Sequence, residues 1–333
     1  MRAFVTGAGG FLGKHLVRLL LQEGYEVTTY SRGNYPELQQ SGVKTERGDI
    51  RDKERVTQAS KGAEIVFHVA AKAGIWGPWK EYYGINTIGT ENVLHACKKN
   101  GIPKLVYTSS PSVTFDGAKQ TFIDETVPYS SRWLCNYPRS KALAEEKVLL
   151  ANDSRNFLTC ALRPHLIWGP GDQHLVPRLL DRARQGKLFQ VGSGKNLIDI
   201  TYVENGAFAH LQVARALTSD AKVCGNAYFL SQGEPVNCWH WISGLLALVD
   251  LPPVKKKISY PLARVVGASM EVAYTLLRKK DEPKMTRFLA AQLAFDHYFD
   301  ISKAKDDFGY TPKISTEQGM KRLQEYLLSE GKG

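Results

Sequence analysis

Cysteine is scarce in this chain, and the little there is carries no pattern. The five cysteines (Cys97, Cys135, Cys160, Cys224 and Cys238) form no CxxC pair and stand at no ligand-like spacing from the eight histidines. A disulfide framework and a zinc site are therefore not expected, no metal is assigned, and a reducing cytoplasm fits best. Also missing is an uncharged apolar run long enough to span a bilayer. Met1-Arg-Ala-Phe-Val runs directly into a strand-like segment, so no secretory signal is read. The chain lacks a dense basic tract interleaved with aromatics, which argues against a nucleic-acid partner despite a formal charge of +11. That cationic surplus suits anionic small molecules or membrane surfaces instead. There is no repeat or low-complexity tract either. With 333 residues, the chain has room for a nucleotide-binding domain and a smaller appended one.

What is present starts at the first residues. Ala3-Phe-Val5 is a short apolar run leading into Thr6-Gly-Ala-Gly-Gly-Phe-Leu-Gly13, after which Leu12, Leu16, Leu19 and Leu20 recur at helical spacing until Gly24. In this strand-turn-helix order, Gly7 permits a tight turn, Gly10 lets a pyrophosphate reach the backbone, and Gly13 lets helix and strand pack closely. Phe11 and Leu12 complete the helix N-terminus on which phosphates would sit. A glycine triplet can be a plain loop, but this context reads as dinucleotide binding. Glu26-Val-Thr-Thr-Tyr30 follows as a second strand. Just beyond it, where an acid would bind an adenosine 2′-hydroxyl, stand Ser31 and Arg32. A small hydroxyl and a guanidinium suit a 2′-phosphate, so NADP(H) is expected in preference to NAD(H).

A third strand ends at Asp49-Ile50, an acid placed to hold the adenine amino group. A fourth, over 64–69, runs into Ala70, Ala71 and Lys72, where small residues let a cofactor cross the sheet edge. Alternating strands and helices of this kind specify an α/β fold with a doubly wound parallel sheet. The following loop holds Trp76 and Trp79, which either meet a substrate or cap the core. Lys104-Leu-Val-Tyr-Thr-Ser-Ser110 is a fifth strand that carries Thr108 and Ser110 to the same carboxyl edge. Further on comes Tyr137-Pro-Arg-Ser-Lys141, a phenol and an ammonium on one helical face. A free phenol has a pKa near ~10, and a neighbouring cation favours its phenolate. Ser110 is the candidate to orient a substrate carbonyl, Tyr137 to protonate it, and Lys141 to lower the tyrosine pKa and hold the nicotinamide ribose.

Together, Thr6-Gly-x-x-Gly-x-x-Gly13, Tyr107-Thr-Ser-Ser110, Tyr137-x-x-x-Lys141 and Arg163-Pro-His-Leu-Ile-Trp-Gly-Pro-Gly171 resemble an extended short-chain dehydrogenase/reductase over nearly the whole chain. The Tyr137 to Glu145 segment and the tail (Tyr298-Phe-Asp-Ile-Ser-Lys-Ala-Lys305, Phe308-Gly-Tyr-Thr-Pro312) resemble the 3β-hydroxysteroid dehydrogenase branch. Ala70-Ala-Lys-Ala-Gly-Ile-Trp-Gly-Pro78 resembles the OleD-type 2-alkyl-3-oxoalkanoate reductases of bacterial olefin biosynthesis. Steroid-branch relatives that use NAD carry an acid after the second strand, and Ser31-Arg32 departs from them. The resemblance implies a Rossmann domain over 1–170 and a smaller α+β substrate domain over 171–333, with some segments returning to the sheet. It also implies nicotinamide contacts at Pro164 and Leu166, a homodimer seam from helices around 86–99 and 137–150, and reduction of a long-chain β-keto acid. A 3β-hydroxysteroid or sterol dehydrogenase stays open as an alternative. So does a nucleotide-sugar epimerase or dehydratase, although Ser31-Arg32 argues against an NAD-holding epimerase. The intact serine, tyrosine and lysine argue against a nonenzymatic NADP sensor.

His165 is considered as a base and ranked below a backbone contact, since Tyr137 fills that role. Short strands over 188–191, 198–203 and 227–231 are assigned to the substrate domain. Phe115, Trp133 and Trp168 join Trp76 and Trp79 as aromatics on loops expected to face the cleft. Over 258–277, Leu262, Val265, Val266, Met270, Ala273, Leu276 and Leu277 line one helix face, and lysine and arginine triplets bracket the segment. The default reading is a core-facing helix; the alternative is contact with an anionic membrane or a greasy substrate, with peripheral association in the cytoplasm.

Overall fold

The computed structural model describes residues 1–153 and 155–330. Seven parallel strands form the main sheet: β1 (Arg2–Thr6), β2 (Glu26–Ser31), β3 (Lys44–Arg47), β4 (Ile65–His68), β5 (Lys104–Thr108), β6 (Leu158–Pro164) and β7 (Asn226–Leu230). Their order is β7-β6-β5-β4-β1-β2-β3. The central strands are buried on both faces, as a parallel sheet covered by helices requires, and all seven residues of β6 are buried. After β3 the chain crosses back to place β4 against β1. Between those two strands the winding reverses and leaves a crevice at their carboxyl ends.

Helix α1 (Phe11–Gln22) buries Leu12, Leu16, Val17 and Leu20 and stops where Gly24 adopts φ +76°. The helices that carry the site on the other half are α2 (Gly89–Asn100) and α3 (Asn136–Leu150). The strand expected over 227–231 does not belong to the smaller unit. It is β7, paired in parallel with β6 after the crossover helix α4 (Val203–Ala216). Buried on both faces and reached through a long helix, it fits only the edge of the parallel sheet.

A second, four-stranded sheet runs in the order Val236–Asn237, Leu197–Ile198, His297–Phe299, Gln120–Ile123. Beside it lies an apolar core containing Trp239, Trp241, Leu245 and Leu246. Trp168 is fully buried in this core, 5.3 Å from Tyr202 and 5.9 Å from Trp241 between ring centroids. Phe115 is buried against Phe288, edge to face at 5.5 Å. Neither side chain faces the cleft, because each finds an aromatic partner that only tertiary packing supplies.

The helix expected over 258–277 is α5 (Tyr260–Leu276), and its packing corrects the core-facing reading. Only Ala263 and Gly267 are buried, against α6 (Arg287–Ala294). A Cβ on Gly267 would lie 2.6 Å from the Thr286 carbonyl carbon. Small residues let the two backbones meet, so the small face docks and the bulky one points outward.

Candidate active site

A cavity of about 620 Å3 follows the crevice along the carboxyl ends of the main sheet. Gly7, Gly10, Phe11, Leu12, Gly13, Ser31, Arg32, Asp49, Ile50, Ala70, Ala71, Thr108, Ser110, Tyr137, Lys141, Pro164 and Leu166 all line it. Lys72 does not. Its ammonium pairs with Glu81 at 2.9 Å and faces a second cavity, because Asn86 holds the Lys72 backbone through bonds to its N–H (2.7 Å) and carbonyl (3.1 Å).

The glycine turn fits a pyrophosphate. Gly7 has φ +73°, and a Cβ there would stand 2.6 Å from the Ala70 nitrogen; at Gly13 it would stand 2.2 Å from the Gly7 oxygen. No side chain caps α1 and no acid sits in its first turn, which leaves the partial positive charge of the N-terminus facing the cavity. At the adenosine end, parallel register sets Arg47 beside Ser31, and Arg47 Nε donates to the Arg32 carbonyl at 2.9 Å. Arg32 lines the cavity at the expected 2′ position, and Arg47 props its backbone from outside the cavity. Asp49 lies below them with its carboxylate gripped by Arg51 Nε (2.9 Å) and Nη2 (2.6 Å), which holds its pKa down at about 2. The sequence reading missed Tyr35, whose ring covers Gly9 and Gly33.

At the other end, β5 delivers Ser110, whose Oγ bonds the Ser112 hydroxyl at 2.8 Å. Tyr137 and Lys141 stand one turn apart on α3. A buried ion pair fixes that helix to β6: Arg163 Nε and Nη2 donate to Glu145 at 3.0 and 2.5 Å, and the Tyr129 hydroxyl donates to the same carboxylate at 2.9 Å. Asn86 adds a bond to Ser140 Oγ at 2.9 Å.

The electrostatics depart from the sequence reading. Burial pushes the Tyr137 phenol up to about 12, with hydrogen bonding to Ser110 opposing the rise. Lys141 does not lower it. The buried ammonium donates to the Thr108 carbonyl at 2.5 Å and lies 4.1 Å from the Tyr107 ring centre, and burial pulls its own pKa down to about 7 against the attraction of Glu145. A phenol so shifted stays protonated at neutral pH, and because an alkoxide is more basic than a phenolate it can still give its proton to the oxygen that a reduction leaves negative. His165 lies buried behind the site, stacked on His297 with 2.9 Å between ring nitrogens, and does not line the cavity.

The second cavity, about 1130 Å3, begins at Cys135 and Asn136, next in sequence to Tyr137. Trp76 and Trp133 line it together with Ile75, Leu134, Val272 and Leu276; Arg139, Arg278, Lys279 and Lys280 add cations, while Lys72 and Arg287 are paired with Glu81 and Glu271 on the same wall. Trp79 does not line it; its ring packs on Tyr83 and under the Arg139 guanidinium, 4.4 Å away.

Residues 4–262 match the 3-beta hydroxysteroid dehydrogenase/isomerase family. The chain is 51% identical to a 2-alkyl-3-oxoalkanoate reductase of Shewanella oneidensis, over 98% of this chain and 86% of that one. It is 47% identical to the 2-alkyl-3-oxoalkanoate reductase of Stenotrophomonas maltophilia, over 97% and 98%. A mouse sterol-4-alpha-carboxylate 3-dehydrogenase (decarboxylating) is 35% identical over 96% of this chain and 88% of its own. Among solved structures, UDP-glucuronic acid 4-epimerase from Bacillus cereus in complex with NAD shares the fold, with a TM-score of 0.76 at 22% identity and 99% coverage of both chains. The chain belongs to the 3-beta hydroxysteroid dehydrogenase/isomerase family and is an NAD(P)-dependent oxidoreductase of the extended short-chain type.

Proposed function

We propose that the protein uses NADPH to reduce the 3-oxo group of a long-chain 2-alkyl-3-oxoalkanoic acid to the 3-hydroxy acid, as in bacterial olefin biosynthesis. The reading is carried by the convergence of Ser110, Tyr137 and Lys141 at the end of the glycine-lined cavity, beside a larger apolar cavity rimmed with cations. When bound, the dinucleotide supplies the hydride. Gly7, Gly10 and Gly13 hold its pyrophosphate, Ser31 and Arg32 its 2′-phosphate, and Ala70, Ala71, Thr108, Pro164 and Leu166 border the rest. Ser110 orients the carbonyl oxygen, and Tyr137 gives that oxygen its proton. Lys141 holds the ribose, and a proton from solvent returns Tyr137 from phenolate to phenol for the next turnover. Ile75, Trp76, Trp133 and Leu134 receive alkyl chain, and the rim cations face the carboxylate. Two copies pair through α2 and α3.

The sterol alternative draws support from the 35% identity to the mouse enzyme. Following NADPH oxidation against 2-alkyl-3-oxoalkanoates of increasing chain length, with 3-keto sterols beside them, separates the two. Each buried methylene contributes up to ~0.8 kcal/mol, so kcat/KM should climb with chain length until the cavity is filled. A flat series, or turnover of sterols alone, contradicts the assignment.

A further inference from the structure

A surface helix ordinarily turns its bulky apolar residues inward. In α5 they face out: Leu262 is 54% exposed, Val265 60%, Val272 59%, Leu276 77% and Leu277 66%. At helical spacing these positions share one continuous arc with Val266 and Ala273, and Ser269 is its one polar member. The inward arc is small, with Ala263 and Gly267 against the backbone before α6. Exposed cations stand at both ends, Lys255-Lys-Lys257 ahead and Arg278-Lys-Lys280 behind. Among the described residues none of these six has an acidic partner within ion-pair distance. No helix among the described residues is long and apolar enough to cross a membrane.

An apolar arc along one helix with cations at both ends matches the boundary between the acyl chains and phosphates of an anionic bilayer. A second copy of the chain fits poorly. Pairing α5 with its symmetry mate, in either direction, sets cation cluster against cation cluster. Val272 and Leu276 also line the second cavity, so that cavity opens beside the apolar arc. We propose that α5 docks the protein in the plane of an anionic lipid bilayer, with the second cavity opening toward the lipid. Entry of an acyl chain by this route rests on the long-chain reading above; the docking does not.

The test is co-sedimentation of the full chain, without substrate or cofactor, with phosphatidylcholine vesicles that contain or lack phosphatidylglycerol. Partition into the anionic vesicles should exceed that into neutral ones by about tenfold and fall as salt is raised. The double variant Leu262→Glu, Val265→Glu, at positions away from both cavities, should lose about tenfold of that binding while its melting temperature stays that of the wild type. The proposal is overturned if the wild type stays in the supernatant, if neutral vesicles bind it equally, or if the double variant binds as well. It is overturned equally if the double variant proves monomeric where the wild type self-associates through this face and neither binds vesicles. None of these readouts depends on turnover, so a failure of the reductase reading shows separately in the NADPH assay.

Discussion

At the scale of single residues, the two titrating groups of the site pull in opposite directions. Lys141 is held where its charge costs stability: its folded pKa is about 7, far below its ordinary value. A lysine depressed on folding binds fewer protons than the unfolded chain between pH 7 and its usual range near ~10.4, so stability rises with pH across that window. Below pH 7 the full cost stands, of order 5 kcal/mol. Lys141→Met should therefore melt well above the wild type at pH 7, with the gap narrowing toward pH 10. A gap that stays constant with pH would show that the ammonium is not desolvated. Arg32 makes the other residue-level prediction. Arg32→Ala should weaken NADPH binding by about 1–3 kcal/mol, the scale of a lost charge-assisted contact, and leave NADH almost unchanged. Equal losses for both cofactors, measured by fluorescence titration, would remove Arg32 as the reader of the phosphate.

Among the elements, α3 matters most, because it presents Tyr137 and Lys141 and is held by the Glu145 to Arg163 pair. Both partners are almost wholly buried, so removing one strands the other's charge in the interior. Glu145→Ala should cost about 3–5 kcal/mol in denaturant unfolding and lower kcat through misplacement of Tyr137. A stable, fully active variant would contradict that role. The glycine turn and the Tyr137 to Lys141 spacing were legible in the sequence because each depends on neighbours within a few residues. Other features depend on distant partners. The 3.6-residue period of α5 reveals its apolar stripe but not which side docks; that is decided by the backbone near Thr286 approaching Gly267. Trp168 and Phe115 look like any loop aromatics until Trp241 and Phe288 are in place. The depressed pKa of Lys141 arises from burial, which leaves no periodic trace.

At the scale of the whole molecule, the sheet brings the glycine turn of β1 and the serine of β5 to one edge, and α3 closes that edge from the other half. The surplus of cations around the second cavity suits a substrate with a carboxylate. If two copies pair through α2 and α3 in an isologous seam, sedimentation at micromolar concentration should give twice the 37.1 kDa chain mass. A 37.1 kDa species there would contradict the seam. The central claim is a net reduction in which Tyr137 is the acid. The most direct test supplies NADPH deuterated at the transferable C4 position together with a 2-alkyl-3-oxoalkanoate and follows the product by mass spectrometry. The account predicts one deuterium on C3 of the hydroxy acid and one NADP⁺ released per product, with both falling by about a thousandfold or more in a folded Tyr137→Phe variant. Product without deuterium, no release of NADP⁺, or undiminished transfer in Tyr137→Phe would contradict it.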